Sequence, residues 1–150
     1  MVKHLKLAVN RRKRILFYLL PAVGYAALIF ALSSSSLDSE ELRPVFDYDK
    51  LLHLVEYYIL GYLLMRVFTT SPVSSLADKA VLATILVGTV YGASDELHQY
   101  FVPGRDCSLM DFLFDAAGAT MAAVTFPFVR HQRGPLRTLE NRIDAEVSRR

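Results

Sequence analysis

The sequence predicts an all-α fold, an integral membrane bundle of four transmembrane helices formed by a single domain over 1–150. Three observations predict it. Hydrophobic residues make up 53% of the chain and charged residues 21%, with a mean hydropathy of +0.28, a greasier mix than a soluble domain carries. The apolar residues fall into four runs. Each is close to the ~20 residues that cross a ~30 Å hydrocarbon core at ~1.5 Å per residue. Lysine and arginine crowd both ends while acids gather in the middle, an asymmetry that suits a membrane better than a nucleic acid.

The first helix is expected at about 15–32, a run without a charge. Its basic flank resembles that of a signal peptide, but the apolar stretch exceeds the usual ~7–15 residues, so a retained helix is expected. The second spans about 51–68, interrupted by His53, Glu56 and Arg66. The third spans about 80–102 and gathers Asp95, Glu96, His98 and Gln99 near its end. The fourth spans about 109–129 and holds only Asp111 and Asp115 as charges. A soluble bundle would need polar faces that the first and fourth runs lack.

The connections are polar. Ser33–Tyr48 carries a four-serine run and Pro44, and Thr69–Lys79 carries Pro72 and three serines. Val102-Pro103-Gly104-Arg105 signals a turn. Ser108 is placed to cap the fourth helix, with Asp111 at the capping-box position. In the basic tails, 1–14 and 130–150, Leu136, Leu139, Ile143 and Val147 recur at spacings of three and four. That pattern fits a short amphipathic helix on anionic headgroups, or a solvated tail that enforces topology. The lone cysteine, Cys107, excludes an intrachain disulfide and a multi-cysteine metal site.

Orientation follows from the positive charges. With four spans, the two tails, Arg66 and Lys79 share one side, which collects fourteen basic residues against three for Arg43, Lys50 and Arg105 on the other. Both tails are therefore expected in the cytoplasm of a bacterial inner membrane, with the 103–108 turn outside.

This topology brings polar residues of three helices to one depth. Asp49, Lys50, His53 and Glu56 begin the second helix. Asp95, Glu96, His98 and Gln99 end the third, Asp111 and Asp115 begin the fourth, and Arg105 lies in the turn between them. Asp49, His53 and Glu56 share a stripe, as do Asp95, His98 and Gln99, and as do Asp111, Asp115 and Gly118. A charge in hydrocarbon costs about 2.5–3.5 kcal/mol on insertion scales, and the acids outnumber Lys50 and Arg105. Some carboxyls must stay protonated, or the site must be wet, or a cation must complete it. Each residue also has a plainer reading. Asp49 and Lys50 would be interfacial, Asp111 a cap, His53 a structural histidine, and Arg105 a staple between acids.

The same residues carry a family resemblance. Phe30-Ala31-Leu32-Ser33-Ser34-Ser35-Ser36 resembles a phenylalanine-serine signature. Asp49-Lys50-Leu51-Leu52-His53 with Tyr57, Leu60 and Gly61 resembles a DKxxHxxxYxxLG motif. Asp95-Glu96 through Gln99, Pro103 and Arg105, followed by Ser108, Asp111, Asp115 and Gly118, resembles a DExxQxxxPxR…DxxxN/DxxG block. Together they are similar to the VanZ-like family of small bacterial membrane proteins over about residues 28–120. Position 115 is Asp where Asn also occurs in the family pattern, which adds a negative charge. The resemblance implies the fold and membrane location. It is named for a teicoplanin-resistance protein, so antibiotic resistance is an implied role.

Two functions compete. In the first, the polar site of Asp49, Lys50, His53, Glu56, Asp95, Glu96, Gln99, Arg105, Asp111 and Asp115 binds a cell-wall precursor, a glycopeptide or an envelope protein without catalysis. In the second, a membrane enzyme acts on a lipid-linked or cell-wall substrate, with His53, Glu96, His98 and Asp111 as catalytic candidates. A variant of the second adds a divalent cation on His53, Glu56, Glu96 and Asp111. No cofactor is otherwise expected, and no nucleic acid. A proton pathway is disfavoured, because Leu60–Leu64 and Met121–Phe126 offer no acid to continue a wire.

Overall fold

The structure, a computed structural model, describes residues 11–35, 49–105, 107–131 and 135–148, the side chains of Asp49, His131, Pro135 and Leu136 excepted. The described elements are all helical. They are α1 (Arg11–Ser33), α2 (Asp49–Thr69), the short α3 (Ser74–Asp78), α4 (Ala80–Gln99), α5 (Leu109–His131) and α6 (Pro135–Ser148). α1, α2, α4 and α5 are long and apolar enough to cross a membrane.

α2 and α5 form the central pair, α4 packs on both, and α1 lies against α2 and α4. The packing is inverted relative to a soluble protein. Leu20, Val23, Leu28, Leu86, Val90, Leu113, Val124 and Phe128 point outward, while His53, Asp95, Glu96, Gln99, Asp111 and Asp115 are buried. A soluble monomer rarely tolerates such an apolar exterior, and the soluble-bundle alternative falls with it.

Lipid tails give no hydrophobic drive to helix association, so close contact must supply it. Small residues allow that contact. A Cβ on Gly61 would lie 2.8 Å from Ala122 Cβ, and one on Gly88 would lie 2.5 Å from Ala119 Cβ. One on Gly118 would collide with the backbone carbonyl of Leu54 and approach Tyr58 N to 2.9 Å. Around these contacts, Met65, Ala80, Ala123 and Phe126 form one buried cluster, and Ile29, Tyr57 and Leu60 form another.

Two boundaries differ most from expectation. α1 begins at Arg11 rather than at residue 15, and includes one π-helical turn, Ile15–Leu19. That turn precedes Pro21, which has no N–H for the fourth carbonyl back and whose ring would press on it. The added turn of helix is anchored by Arg14, whose Nε donates to Thr70 O (2.9 Å) and Nη2 to Val67 O (2.8 Å). These carbonyls lie at and just past the end of α2, where the helix's own N–H groups run out, and Val67 O also accepts from Thr70 Oγ1 at 3.3 Å.

α4 stops at Gln99, not at residue 102. Phe101 N and Val102 N bond back only three residues, to His98 O and Gln99 O, each at 2.9 Å. Pro103 disfavours a helical residue before it. Gly104, at φ 82°, then reverses the chain in a conformation that L side chains rarely adopt.

The tail helix α6 forms, and it docks on the bundle with only part of the expected stripe. Val147 is buried with Tyr18, Ala22 and Val67, and Ile143 packs against that cluster, while Leu139 is exposed. Leu136 lies outside the described side chains. The docked face is completed by charge. Glu140 is buried with Oε1 2.8 Å from Arg66 Nε, and Asp144 accepts from Tyr18 Oη and Arg130. Lys13 Nζ reaches Glu146 Oε1 at 2.9 Å. α6 therefore lies on the ends of α1, α2 and α5 rather than only on headgroups or in solvent.

Candidate functional site

At the end of the bundle opposite α6, the termini of all four long helices deliver polar side chains. From α2, His53 is 5% exposed and its Nδ1 lies 2.9 Å from Asp115 Oδ1 on α5. Asp115 is fully buried, at 0% exposure. From α4, Glu96 Oε2 accepts from Ser108 N at 2.7 Å. Asp95 Oδ2 accepts from Ser33 Oγ of α1 (2.8 Å) and from Gln99 Nε2 (3.3 Å).

The expected cap of α5 is only half present. Asp111 N donates to Ser108 Oγ at 3.3 Å, as a cap requires. The return bond to Ser108 N comes from Glu96 rather than from Asp111, so the cap ties α4 to α5. Asp111 Oδ1 instead faces Lys50 Nζ at 3.5 Å, an ion contact longer than a good hydrogen bond.

Several buried polar atoms have no hydrogen-bond partner among the described residues. They include Tyr57 Oη, Asp95 Oδ1, Glu96 Oε1 and Asp115 Oδ2, all at this end. An unmet buried polar atom costs about 1–3 kcal/mol, and more when charged. Others, on Arg66 and Glu140, lie at the opposite end beneath α6.

The VanZ/LLP1 family model matches residues 4–130. The chain belongs to the VanZ/LLP1 family. Comparison with curated proteins and with solved structures finds no match. The four-helix membrane architecture and the residues of the VanZ-like motifs thus sit in one frame. The motif positions His53, Asp95, Gln99, Asp111, Asp115 and Gly118 all face inward at the site or at the close contact beneath it.

The candidates fare differently. His53, Asp95, Glu96, Gln99, Asp111 and Asp115 come together, and Lys50 borders them. Glu56 is half-buried and within electrostatic reach of His53, Asp95, Asp115 and Arg105. The side chain of Asp49 lies outside the described set. His98 turns away. Its ring stacks on Phe30 with centroids 4.4 Å apart, and Nε2 lies 2.9 Å from Ser34 Oγ, so it serves the α1–α4 contact and not the cluster. Its position one residue short of Gln99 rotates it by about 100° from that side chain. The expected metal set also changes. The group whose donor atoms converge is His53, Glu96 and Asp115, with Asp115 in place of Glu56 and Asp111.

Among the described residues no carboxylate lies within ion-pair distance of Arg105. It is half-buried in the turn after α4, and its backbone N donates to Val102 O at 3.1 Å. Two residues that the sequence analysis names only as motif positions also contribute, Ser33 and Tyr57. Ala22, Ile29 and Ser33 form a stripe on the first helix, so a buried serine at its end could have been read from helical spacing. Tyr57 is fully buried beside Asp115 and Gly92.

Proposed function

We propose that this VanZ/LLP1 protein resides in the bacterial cytoplasmic membrane with both tails inside. In this reading the polar end of the bundle faces outward and binds a cell-surface component through an anionic group. Arg105 supports the reading best. A guanidinium with no described carboxylate partner, at the rim of a site otherwise rich in acids, suits a ligand carboxylate or phosphate. Lys50, more than half exposed at its side chain, adds a second cation at the rim. Cell-wall precursors, glycopeptides and envelope proteins all present such groups, and a role in glycopeptide resistance is one form of this function.

A second reading is catalytic. Asp115 at 2.9 Å from His53 Nδ1 would hold the imidazole in one tautomer and leave Nε2 as the basic nitrogen, an arrangement suited to general-base chemistry.

The test is Arg105→Ala, with phenotype and stability measured together. Thermal stability in detergent is expected to stay near native, while complementation of a deletion strain for glycopeptide tolerance or envelope stress is lost. Arg105→Lys is expected to rescue poorly, because an ammonium cannot make the forked contact. Stability and phenotype falling together, both restored by lysine, would show a staple instead.

Orientation has its own probe. Cys107 is exposed in the turn at the site end. An impermeant thiol reagent is expected to label it in intact cells. Labelling that appears only after permeabilisation would invert the topology. A cysteine at Ser75 in a Cys107→Ser background is expected to show the opposite pattern.

A further inference from the structure

We propose that His53, Glu96 and Asp115 bind one divalent transition-metal ion in the interior of the polar end. One donor atom from each residue lies within 4.8 Å of the other two, and all three side chains are buried. Donors that share an ion through bonds of about 2.1 Å lie about 3–4.2 Å apart, so small side-chain shifts would close the set. The residues come from α2, α4 and α5, which the glycine contacts hold in rigid proximity.

A second observation points to a ligand. Glu96 Oε1 and Asp115 Oδ2 have no hydrogen-bond partner among the described residues, on side chains 4% and 0% exposed. An ion shared by His53 and Asp115 would replace the hydrogen bond between Nδ1 and Oδ1, two atoms already 2.9 Å apart. Glu96 Oε2, the sister of the second open oxygen, is aimed by Ser108 N. This is the support that oriented metal ligands receive from their surroundings.

Charge favours the same conclusion. Asp95 and Asp111 lie close by, and the fixed cations Lys50 and Arg105 belong to the rim. Two or more ionised carboxylates at this depth require a positive charge among them. A divalent ion supplies it where a side-chain ammonium does not reach.

The donor set selects the class of ion. One imidazole and two carboxylates suit Zn²⁺, Mn²⁺ or Fe²⁺. Ca²⁺ asks for six to eight oxygens, and there is no thiolate to favour a softer ion. Three protein ligands leave coordination positions open. An ion there would also turn an acid-lined site into one that accepts an anion beside Arg105. That last use of the ion rests on the binding reading above, whereas its presence does not.

The experiment uses the full chain purified in detergent, stripped with a chelator, and titrated with Mn²⁺ and with Zn²⁺. About one ion per chain is expected, with a rise in thermal midpoint. Glu96→Gln and Asp115→Asn keep the shape of each side chain and are expected to weaken binding at least ten-fold. Without metal both variants should melt at or above the native protein, because a buried acid has been neutralised. With metal the order should reverse. A purely structural role predicts lower midpoints in both conditions. His98→Ala should bind as native.

Should the variants fail to fold, the native protein still decides. Bound Mn²⁺ should show the nitrogen coupling of an imidazole in pulsed electron paramagnetic resonance. No binding at millimolar metal, native binding by both variants, or Mn²⁺ without nitrogen coupling would each overturn the proposal. If Arg105→Ala loses its phenotype while the native protein binds no metal, the ion fails and the binding reading stands. Metal binding alongside a normal Arg105→Ala phenotype gives the reverse.

Discussion

Gly118→Ala should destabilise the bundle by about 3 kcal/mol in detergent unfolding. The added methyl would meet the Leu54 carbonyl and Tyr58 N of α2, and backbone cannot rotate aside as a side chain can. α2 and α5 would have to separate along their contact, and the inter-helix packing that replaces the hydrophobic effect in lipid would be lost with it. Separation would also carry His53 away from Asp115, since these residues sit on the same two helices. Gly24→Ala is the control. Nothing lies within 4 Å of its Cβ position, so that substitution should leave stability unchanged or raise it by up to about 1 kcal/mol through helix propensity. Equal losses at the two positions would refute the close-contact account.

Arg66→Met should cost about 3–5 kcal/mol of tail-helix docking, because it leaves Glu140 buried and unpaired. The ion contact is 2.8 Å between Arg66 Nε and Glu140 Oε1, with both side chains less than a tenth exposed. Arg66 also lies over the Tyr18 ring at 5.0 Å, so α1, α2 and α6 share this one cation. α6 can detach without the membrane bundle unfolding, so the effect should appear locally. Trypsin cleavage at the exposed Arg137 and Arg142 is the measurement, and it should accelerate strongly. Adding Glu140→Met to Arg66→Met should recover most of the protection, since two apolar groups replace a broken ion pair. If the double variant is cleaved as fast as the single one, the buried charge is not what drives release.

The two ends of the molecule differ in how far the sequence revealed them. At the site end, His53, Asp95 and Gln99 were legible because their spacing put them on the inner faces of apolar helices, where a polar residue is expensive and therefore informative. At the tail end, Arg66 could be seen interrupting the second run, but nothing local identified Glu140 as its partner. The two are far apart in the chain, and α6 reads as an ordinary basic amphipathic helix. Its apolar stripe suggested headgroups or solvent as its surroundings, and of that stripe Ile143 and Val147 pack on the bundle while Leu139 stays exposed. Tertiary contact chose the face that buries Glu140, Ile143 and Val147 together.

The sequence by itself determined the four spans, the membrane as solvent, the family, and the depth at which the acids meet. Each of these is a local or periodic property, set by apolar run length, helical spacing and the turn at Pro103-Gly104. Only the tertiary structure decided which acids face one another. Asp115 replaced Glu56 and Asp111 beside His53 and Glu96, His98 went to Phe30 and Ser34, and Ser33 joined Asp95 and Gln99. The physical reason is rotation. Helical periodicity gives a side chain's angle about its own axis, but the partner it meets depends on how the helices are rotated against each other. Here that rotation is set by where Gly61, Gly88, Gly92 and Gly118 let the backbones touch.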